Sequence, residues 1–383
     1  MSCEKRLPKA AILTWCYNTG PTNYGQIIQC YAMQTIVQRL GYDTKLIRYR
    51  KRDANELLDL DNESEFSINL YELWYRLEKV ERKINARILR FIQFVKENIE
   101  MSNQCYTKEQ IEKECKDCSL LICGSDQIWN PQWFDDVYAL NFGDESQIRI
   151  AYAASGVLIE DEPSEAIYKE LGGYLECFDA ISVREKDSID ILKKYTGKNI
   201  IDVPDPTLLL GQDEWNQVAA GQLEEEPYIL CYSLGRLRIQ KVLLKYIMLK
   251  HNVKKILFIT SGFREEEDEL ETGHFFYSVK DAGPAEFIAL IRDAEAVCTD
   301  SFHGLALSII YQKQFYIFER YGINVNSIAN TKRQRNLLDK VGIKEQRTVK
   351  CVKEIETLEA IDYSKVQLTQ FKNELYGLIK NAL

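Results

Sequence analysis

Three histidines occur in the chain, His251, His274 and His303, and the last stands in "TDSFHG" (299–304). There an apolar run, "AVCT", meets an amphipathic one that continues to Tyr311. An imidazole exchanges protons near neutral pH. A helix that begins at this corner, with Asp300 or Ser301 as its N-cap, offers unpaired N–H groups and a positive dipole end. Ser301, His303 and Gly304 are therefore placed to meet a phosphate or a carboxylate. Similar polar corners recur: Asn23, Tyr24 and Gly25 follow the first apolar run, and "GSDQIWN" (124–130), with Asp126, Gln127, Trp129 and Asn130, follows a later one. Ser155 ends "RIAYAAS" and Arg184 ends "AISVR". Each is ordinary turn chemistry when taken singly. Together they would converge on one cleft.

The elements that must bring them together are legible as alternation. "AAILTWC", "DTKLIRY", "SLLICG", "RIAYAAS", "DAISVRE" and "NIIDVP" read as strands, and helical patterns fall between them, at 27–40, 163–172 and 186–195 among others. Such alternation argues for a parallel sheet covered on both faces, whose carboxyl edge is where ligands bind. The first turn is Gly-rich but lacks GxGxxG, so dinucleotide binding is not supported. Prolines 204 and 206 mark a boundary, and beyond it "YILCYSLG", "KKILFITSG", "EAVCTDS" and "QFYIFE" restart the alternation, with helices expected at about 238–250, 284–293 and 303–311. A long helical pattern at 70–99 carries Arg76, Lys79, Arg82, Lys83, Arg87, Arg90 and Lys96 among leucines and aromatics. It reads as an insertion helix with a solvated basic face, or as a surface for anionic lipid headgroups or a lipid-linked substrate.

With 383 residues and 45% hydrophobic side chains, the chain can bury two cores. A net charge of −9 offers no general attraction to phosphate backbones, so nucleic acid is not an expected partner. The segment "MSCEKRLPKAAILTWCYNTG" lacks the apolar core and cleavage site of a signal peptide, and no run approaches the length of a membrane span. A cytoplasmic location is expected, with peripheral membrane contact through 70–99 as the variant. Most of the eleven cysteines lie in apolar runs and read as reduced core residues; Cys115 and Cys118 have half of a zinc spacing without the other half. No metal or cofactor is expected.

"NYGQIIQCYAMQ", "CGSDQIWNP", "RIAYAASG", "ISVREKDS", "VPDPTLLL", "GPAEFIALIRDAEAVCTDSFHGLALSIIYQKQF" and "RQRNLLDKVGI" occur in an order and spacing that resemble the polysaccharide pyruvyl transferase family, from about residue 10 to 345. The resemblance implies a GT-B-like α/β fold, two Rossmann-like doubly wound domains facing a central cleft. On that layout residues 1–205 form the N-terminal domain, with a helical insertion at about 67–117, and 206–350 the C-terminal domain. Residues 351–383 form a helical segment that packs back on the first. The implied activity moves the enolpyruvyl group of phosphoenolpyruvate onto a hexose, usually as a cyclic ketal in a bacterial surface polysaccharide or its lipid-linked precursor.

Under that resemblance His303 corresponds to the family's histidine and Arg184 to its arginine in the "SVRE" block. The guanidinium fork of Arg184 would hold the donor's phosphate or carboxylate. Arg236 in "SLGR", Arg264 in "SGFR" and Arg335 in "RQRNLL" are further donor candidates, Arg335 either facing the cleft or capping a helix. On the acceptor side Asp126 would take a hydroxyl proton, and Asn23, Tyr24, Gln127, Trp129, Asn130 and Ser155 would bind the hexose. The alternative for "GSDQIWN" is a structural turn that packs Trp129 into the domain. One position departs from the pattern: Ser301 stands where better-understood members carry an arginine two places before the histidine. Two other classes stay open, a GT-B glycosyltransferase using a nucleotide sugar and a non-catalytic sugar- or anion-binding protein.

Overall fold

The computed structural model describes residues 7–16, 23–51, 86–235, 240–260, 275–320, 327–343 and 347–382. Two parallel sheets organise them. The first contains β1 (Lys9–Leu13), β2 (Asp43–Tyr49), β3 (Met101–Cys105), β4 (Leu120–Cys123), β5 (Ile148–Ala154), β6 (Ala180–Val183) and β7 (Ile200–Asp202), in the spatial order 3-2-1-4-5-6-7. The second contains β8 (Tyr228–Ser233), β9 (Lys255–Thr260), β10 (Phe276–Ser278), β11 (Ala296–Thr299) and β12 (Gln314–Ile317), in the order 10-9-8-11-12. The registers run without interruption through the centres, Ala10 to Ile12 beside Leu120 to Ile122 and Ala296 to Thr299 beside Ile229 to Tyr232. Central strands such as β4, "LLIC", are buried at every position, as strands covered on both faces must be.

The helices are α1 (Tyr24–Arg39), α2 (Ala86–Asn98), α3 (Lys108–Cys115), α4 (Glu162–Leu175), α5 (Asp187–Leu192), α6 (Gln212–Asn216), α7 (Lys241–Lys250), α8 (Pro284–Asp293), α9 (Phe302–Ile310), α10 (Ser327–Val341), α11 (Val352–Thr357) and α12 (Glu374–Ala382). The strand order reverses at a switch point in each sheet, between β1 and β4 in the first and between β8 and β11 in the second, the position at which open α/β sheets bind ligands. This is the GT-B-like pair of Rossmann-like units.

The two units share one apolar core. A continuous cluster passes from Ile12, Ile28 and Ile122 through Val203, Leu208 and Trp215 to Leu230, Ile288 and Leu305. Tyr24 is a pin in this seam: fully buried, it stacks on Phe287 at 4.3 Å, meets Phe91 and Tyr232, and donates its hydroxyl to Ala282 O at 2.6 Å. α12 packs on β5 and β6 of the first sheet.

The segment 67–117 needs correction at its carboxyl end. Met101–Cys105 pairs with β2 as the edge strand β3, and α3 follows it, so these residues belong to the sheet domain and not to an insertion. Two cations of the basic face of 70–99 are also used differently, while Lys96 is exposed as a solvated face requires. Arg87 is fully buried and donates to the carbonyls of Lys280 and Val279 at 2.9 and 3.0 Å; Arg90 donates to Asp281 O at 2.8 Å and lies 3.5 Å from Glu286. These cations clamp the two units together. Arg76, Lys79, Arg82 and Lys83 lie outside the described residues. Among those described, no helix is long and apolar enough to cross a membrane.

Candidate functional site

The loop from β11 into α9 is fixed by its own polar residues. Thr299 Oγ1 accepts from Ser301 N, and Ser301 Oγ caps the helix by accepting from Gly304 N at 3.4 Å. Asp300 ties the loop to the end of β8: its carboxylate accepts from Leu234 N (2.7 Å), Gly235 N (2.8 Å) and Ser233 Oγ (3.0 Å). Its carbonyl accepts from Arg320 Nη2 at 2.8 Å and Gln334 Nε2 at 3.0 Å. A Cβ on Gly304 would lie 2.7 Å from Thr299 Oγ1, which explains the glycine. The result is His303 presented from the first turn of α9 and buried against Gly25 of α1.

Across the seam His303 meets Asp205, which follows β7. Its Nε2 lies 3.6 Å from Asp205 Oδ2 and has no hydrogen-bond partner among the described residues. Asp205 is fully buried, with Thr207 N and Oγ1 on one oxygen and Ser125 Oγ (2.8 Å) and Arg184 Nη1 (3.0 Å) on the other. Burial opposes its ionisation, but His303, Arg184 and Thr207 outweigh burial and hold the carboxyl well below the usual range. Arg184 is buried too, with Nε to Glu185 Oε1 (2.8 Å), Nη2 to Ser155 Oγ (2.8 Å) and its guanidinium 4.0 Å above the Phe302 ring. Burial favours the neutral form, yet Glu185, Asp205 and Asp126 keep Arg184 firmly protonated. Three of its five N–H groups are engaged, and two remain for a ligand.

Asp126 enters from the end of β4. Its backbone is left-handed, φ 64°, after Gly124 at φ 98°, where a Cβ would strike Tyr152 O at 2.3 Å. That turn presents a carboxylate with no hydrogen-bond partner among the described residues, near enough to Arg184 and Arg333 for its charge to favour their protonated forms. Asp126, Arg184, Asp205 and His303 thus form one charged seam between the sheets. It can exchange a proton, bind an anion and accept a hydroxyl proton.

Several sequence-derived assignments change. Trp129 is fully buried and donates Nε1–H to Tyr138 O at 3.2 Å, so the structural turn is the observed arrangement and this ring has no face for a sugar. Its near neighbour Trp133 is 51% exposed and packs edge-on against Trp15. Tyr24 is the inter-unit pin, and the hydroxyl of Ser155 is spent on Arg184 and Glu185. Ser301 and Gly304 form a helix cap. Arg335 points outward, its side chain 81% exposed beside Asp339. Asn23 caps α1, while Gln127 and Asn130, hydrogen-bonded to each other at 3.1 Å, stay half-buried near Asp126. Arg236 and Arg264 lie outside the described residues.

Sequence reasoning missed Asp205, Glu185, Ser125, Arg320 and Arg333. Asp205 was hidden in "VPDP", which reads as a linker. Arg333 had a signal: Asn330, Arg333, Gln334, Leu337, Leu338 and Val341 lie on one helical stripe, and the three apolar members mark it as the inward face. No cluster of three or more His, Cys, Asp or Glu suited to a metal ion occurs among the described residues.

Comparison with known proteins gives three findings. The family model described as "Polysaccharide pyruvyl transferase" matches residues 23–320. No curated protein matches the chain. Solved structures with similar folds include a UDP-GlcNAc 2-epimerase from Methanocaldococcus jannaschii, with TM-score 0.55 and 11% identity, covering 98% of this chain and 100% of that one. A putative UDP-N-acetylglucosamine 2-epimerase from Listeria monocytogenes has TM-score 0.51 and 8% identity, covering 97% and 88%. At these identities the likeness concerns the fold alone.

Proposed function

The chain belongs to the polysaccharide pyruvyl transferase family, and from that premise we propose that it transfers the enolpyruvyl group of phosphoenolpyruvate to hydroxyls of a hexose in a bacterial surface polysaccharide or its lipid-linked precursor. The product is a pyruvate ketal. The observation that carries this reading is the buried His303–Asp205 contact set beside Arg184 at the N-terminus of α9. Protonating an enol ether at carbon needs an acid held in place, and a trianionic donor needs cations and free N–H groups.

The steps balance. A protonated His303 gives its proton to the methylene carbon of the donor, which leaves an oxocarbenium-like centre at C2. One sugar hydroxyl attacks this centre and loses its proton to Asp126. The C2–O bond to phosphate then breaks and inorganic phosphate leaves. A second hydroxyl closes the ketal and gives up the second proton. Of the two hydroxyl protons, one replaces that lost by His303 and one ends on phosphate. Arg184 neutralises charge on the donor, and the ionised Asp205 lies 3.6 Å from His303 Nε2, the ring nitrogen that faces the seam. The hexose would stack on Trp133, the exposed aromatic three residues beyond Asn130.

The test is phosphate release from phosphoenolpyruvate with lipid-linked or synthetic oligosaccharide acceptors. Wild type should release phosphate and form a ketal, and His303→Gln should be slower by roughly 10²–10⁴-fold while keeping donor affinity. Calorimetric binding of a UDP- or GDP-sugar with no binding of phosphoenolpyruvate would assign the cleft to glycosyl transfer instead. Binding without phosphate release in any acceptor would mark a silent binding protein.

A further inference from the structure

We propose that Arg333 is an anion-binding residue of this seam, taking the phosphate or carboxylate end of the donor opposite Arg184. The proposal rests on the donor reading above. α10 crosses from the second unit to the first at this point. Lys332 Nζ donates to Leu158 O at 3.1 Å, and Asn336 Oδ1 accepts from Lys186 N at 2.9 Å, so this stretch of α10 closes over the loop that carries Arg184 and Glu185. Arg333 lies between these two contacts and is only 7% exposed. Yet among the described residues its Nε has no partner, and its one hydrogen bond is long, Nη2 to Asn330 Oδ1 at 3.4 Å within the same helix. A guanidinium has five donors, and burying it with most of them idle is destabilising.

The surrounding charges do not relieve it. Arg184 and Arg320 repel Arg333 while Glu185 and Asp126 attract it, and burial, followed by Arg184, pushes its pKa down to about 10. Glu185 Oε1 is already taken by Arg184 and Ser155, and Arg320 is engaged with Asp300. Ser301 brings no charge, and its hydroxyl is the cap of α9. A buried cation next to Arg184, with idle donors, is a site that an incoming anion completes. The protein groups that could complete it instead are Glu185 Oε2 and the Asp126 carboxylate, both without a hydrogen-bond partner among the described residues.

Arg333→Met separates the two. In the full-length chain without ligand, its melting temperature should equal or exceed that of wild type, because a buried charge has been removed. Its Kd for inorganic phosphate and for phosphoenolpyruvate, by calorimetry, should weaken by roughly 30-fold or more. KM for the donor should rise more than kcat falls. A lower melting temperature with wild-type phosphate affinity would assign Arg333 to the carboxylates of Glu185 and Asp126 and overturn the proposal. If Arg333→Met does not fold, Arg333→Gln is measured in the same way, and unchanged phosphate affinity there also overturns it. The two readings fail separately. Wild type that binds phosphate but shows no turnover of phosphoenolpyruvate, with phosphate binding lost in Arg333→Met, defeats the donor assignment alone. Equal phosphoenolpyruvate affinity in wild type and Arg333→Met defeats this inference alone.

Discussion

Gly25→Ala is a substitution one methyl group in size whose effect can be worked from the seam. Gly25 lies in the first turn of α1, and a Cβ there would sit 2.3 Å from His303 Nδ1 and 2.9 Å from Cγ and Cε1. Ordinary contact needs about 3.5 Å, so the imidazole must retreat by about 1.2 Å or α1 must shift. Overpacking of this kind costs about 1–3 kcal/mol, and replacing a helical glycine returns about 1 kcal/mol, for a net loss of about 0–2 kcal/mol. The effect on turnover should be larger. A displacement near 1 Å at a reacting group costs on the order of 10²-fold, and His303 Nε2 already stands 3.6 Å from Asp205. In a His303→Ala background the clash is absent, so Gly25→Ala becomes neutral or stabilising by up to about 1 kcal/mol. Urea unfolding of wild type, both single mutants and the double mutant measures the coupling, expected at about 1–3 kcal/mol. Phosphate release and the His303 imidazole signals in NMR report the displacement directly. Additivity within about 0.5 kcal/mol, together with wild-type turnover and an unmoved His303 signal in Gly25→Ala, would refute the packing of Gly25 on His303.

Asp205→Asn leaves Arg184 and His303 without their shared anion and should cost about 3–5 kcal/mol at pH 7. Because the folded-state pKa of Asp205 is depressed, the unfolded chain binds more protons below about pH 4, so the advantage of wild type is complete above that pH and shrinks as pH falls beneath it. Urea midpoints from pH 3 to 7 check this, and a gap that does not narrow in acid contradicts it. Arg87→Leu should lose about 2–4 kcal/mol by stranding the carbonyls of Val279 and Lys280, with no change in affinity for anionic vesicles; unchanged stability with lost vesicle binding would restore the membrane role. Trp133→Ala should raise the acceptor KM by about tenfold, roughly 1.4 kcal/mol, whereas Trp129→Phe should lower the melting temperature and leave that KM alone. The reverse pattern would return the acceptor site to Trp129.

The fold was legible wherever an element is buried on both faces. β1, β4, β5, β8 and β11 are apolar runs bounded by turn residues, and the helix at 284–293 coincides with α8. β3, "MSNQC", and β10, "FYS", were invisible because they are edge strands, one short and the other largely polar. In the site, His303 and Arg184 could be found since each ends an apolar run next to a helix start. Asp205 could not, because its partners Ser125, Arg184 and His303 are remote in sequence and only the tertiary fold assembles them. The pair Arg333 and Arg335 shows a different failure. Two residues apart on a helix point about 200° away from each other, so one faces the seam and the other solvent, and only the phase set by Leu337, Leu338 and Val341 decides which.

The packing of α12 on β5 and β6 bears on the order in which the molecule can be made. About 170 residues separate β7 from α12, and at roughly 5–20 residues per second the strands of the first sheet leave the ribosome about ten to thirty seconds before the helix that covers them. During that interval the face of α1 that belongs to the shared core is bare as well, since α8 and α9 are also still to come. During synthesis the first unit can therefore complete only the core on its other face, around Leu13, Trp129 and Leu171, and the shared face waits for the second unit. A nascent chain stalled near residue 205 should expose apolar surface and recruit chaperones, and the N-terminal sheet should gain protease resistance only when residues 374–382 have emerged.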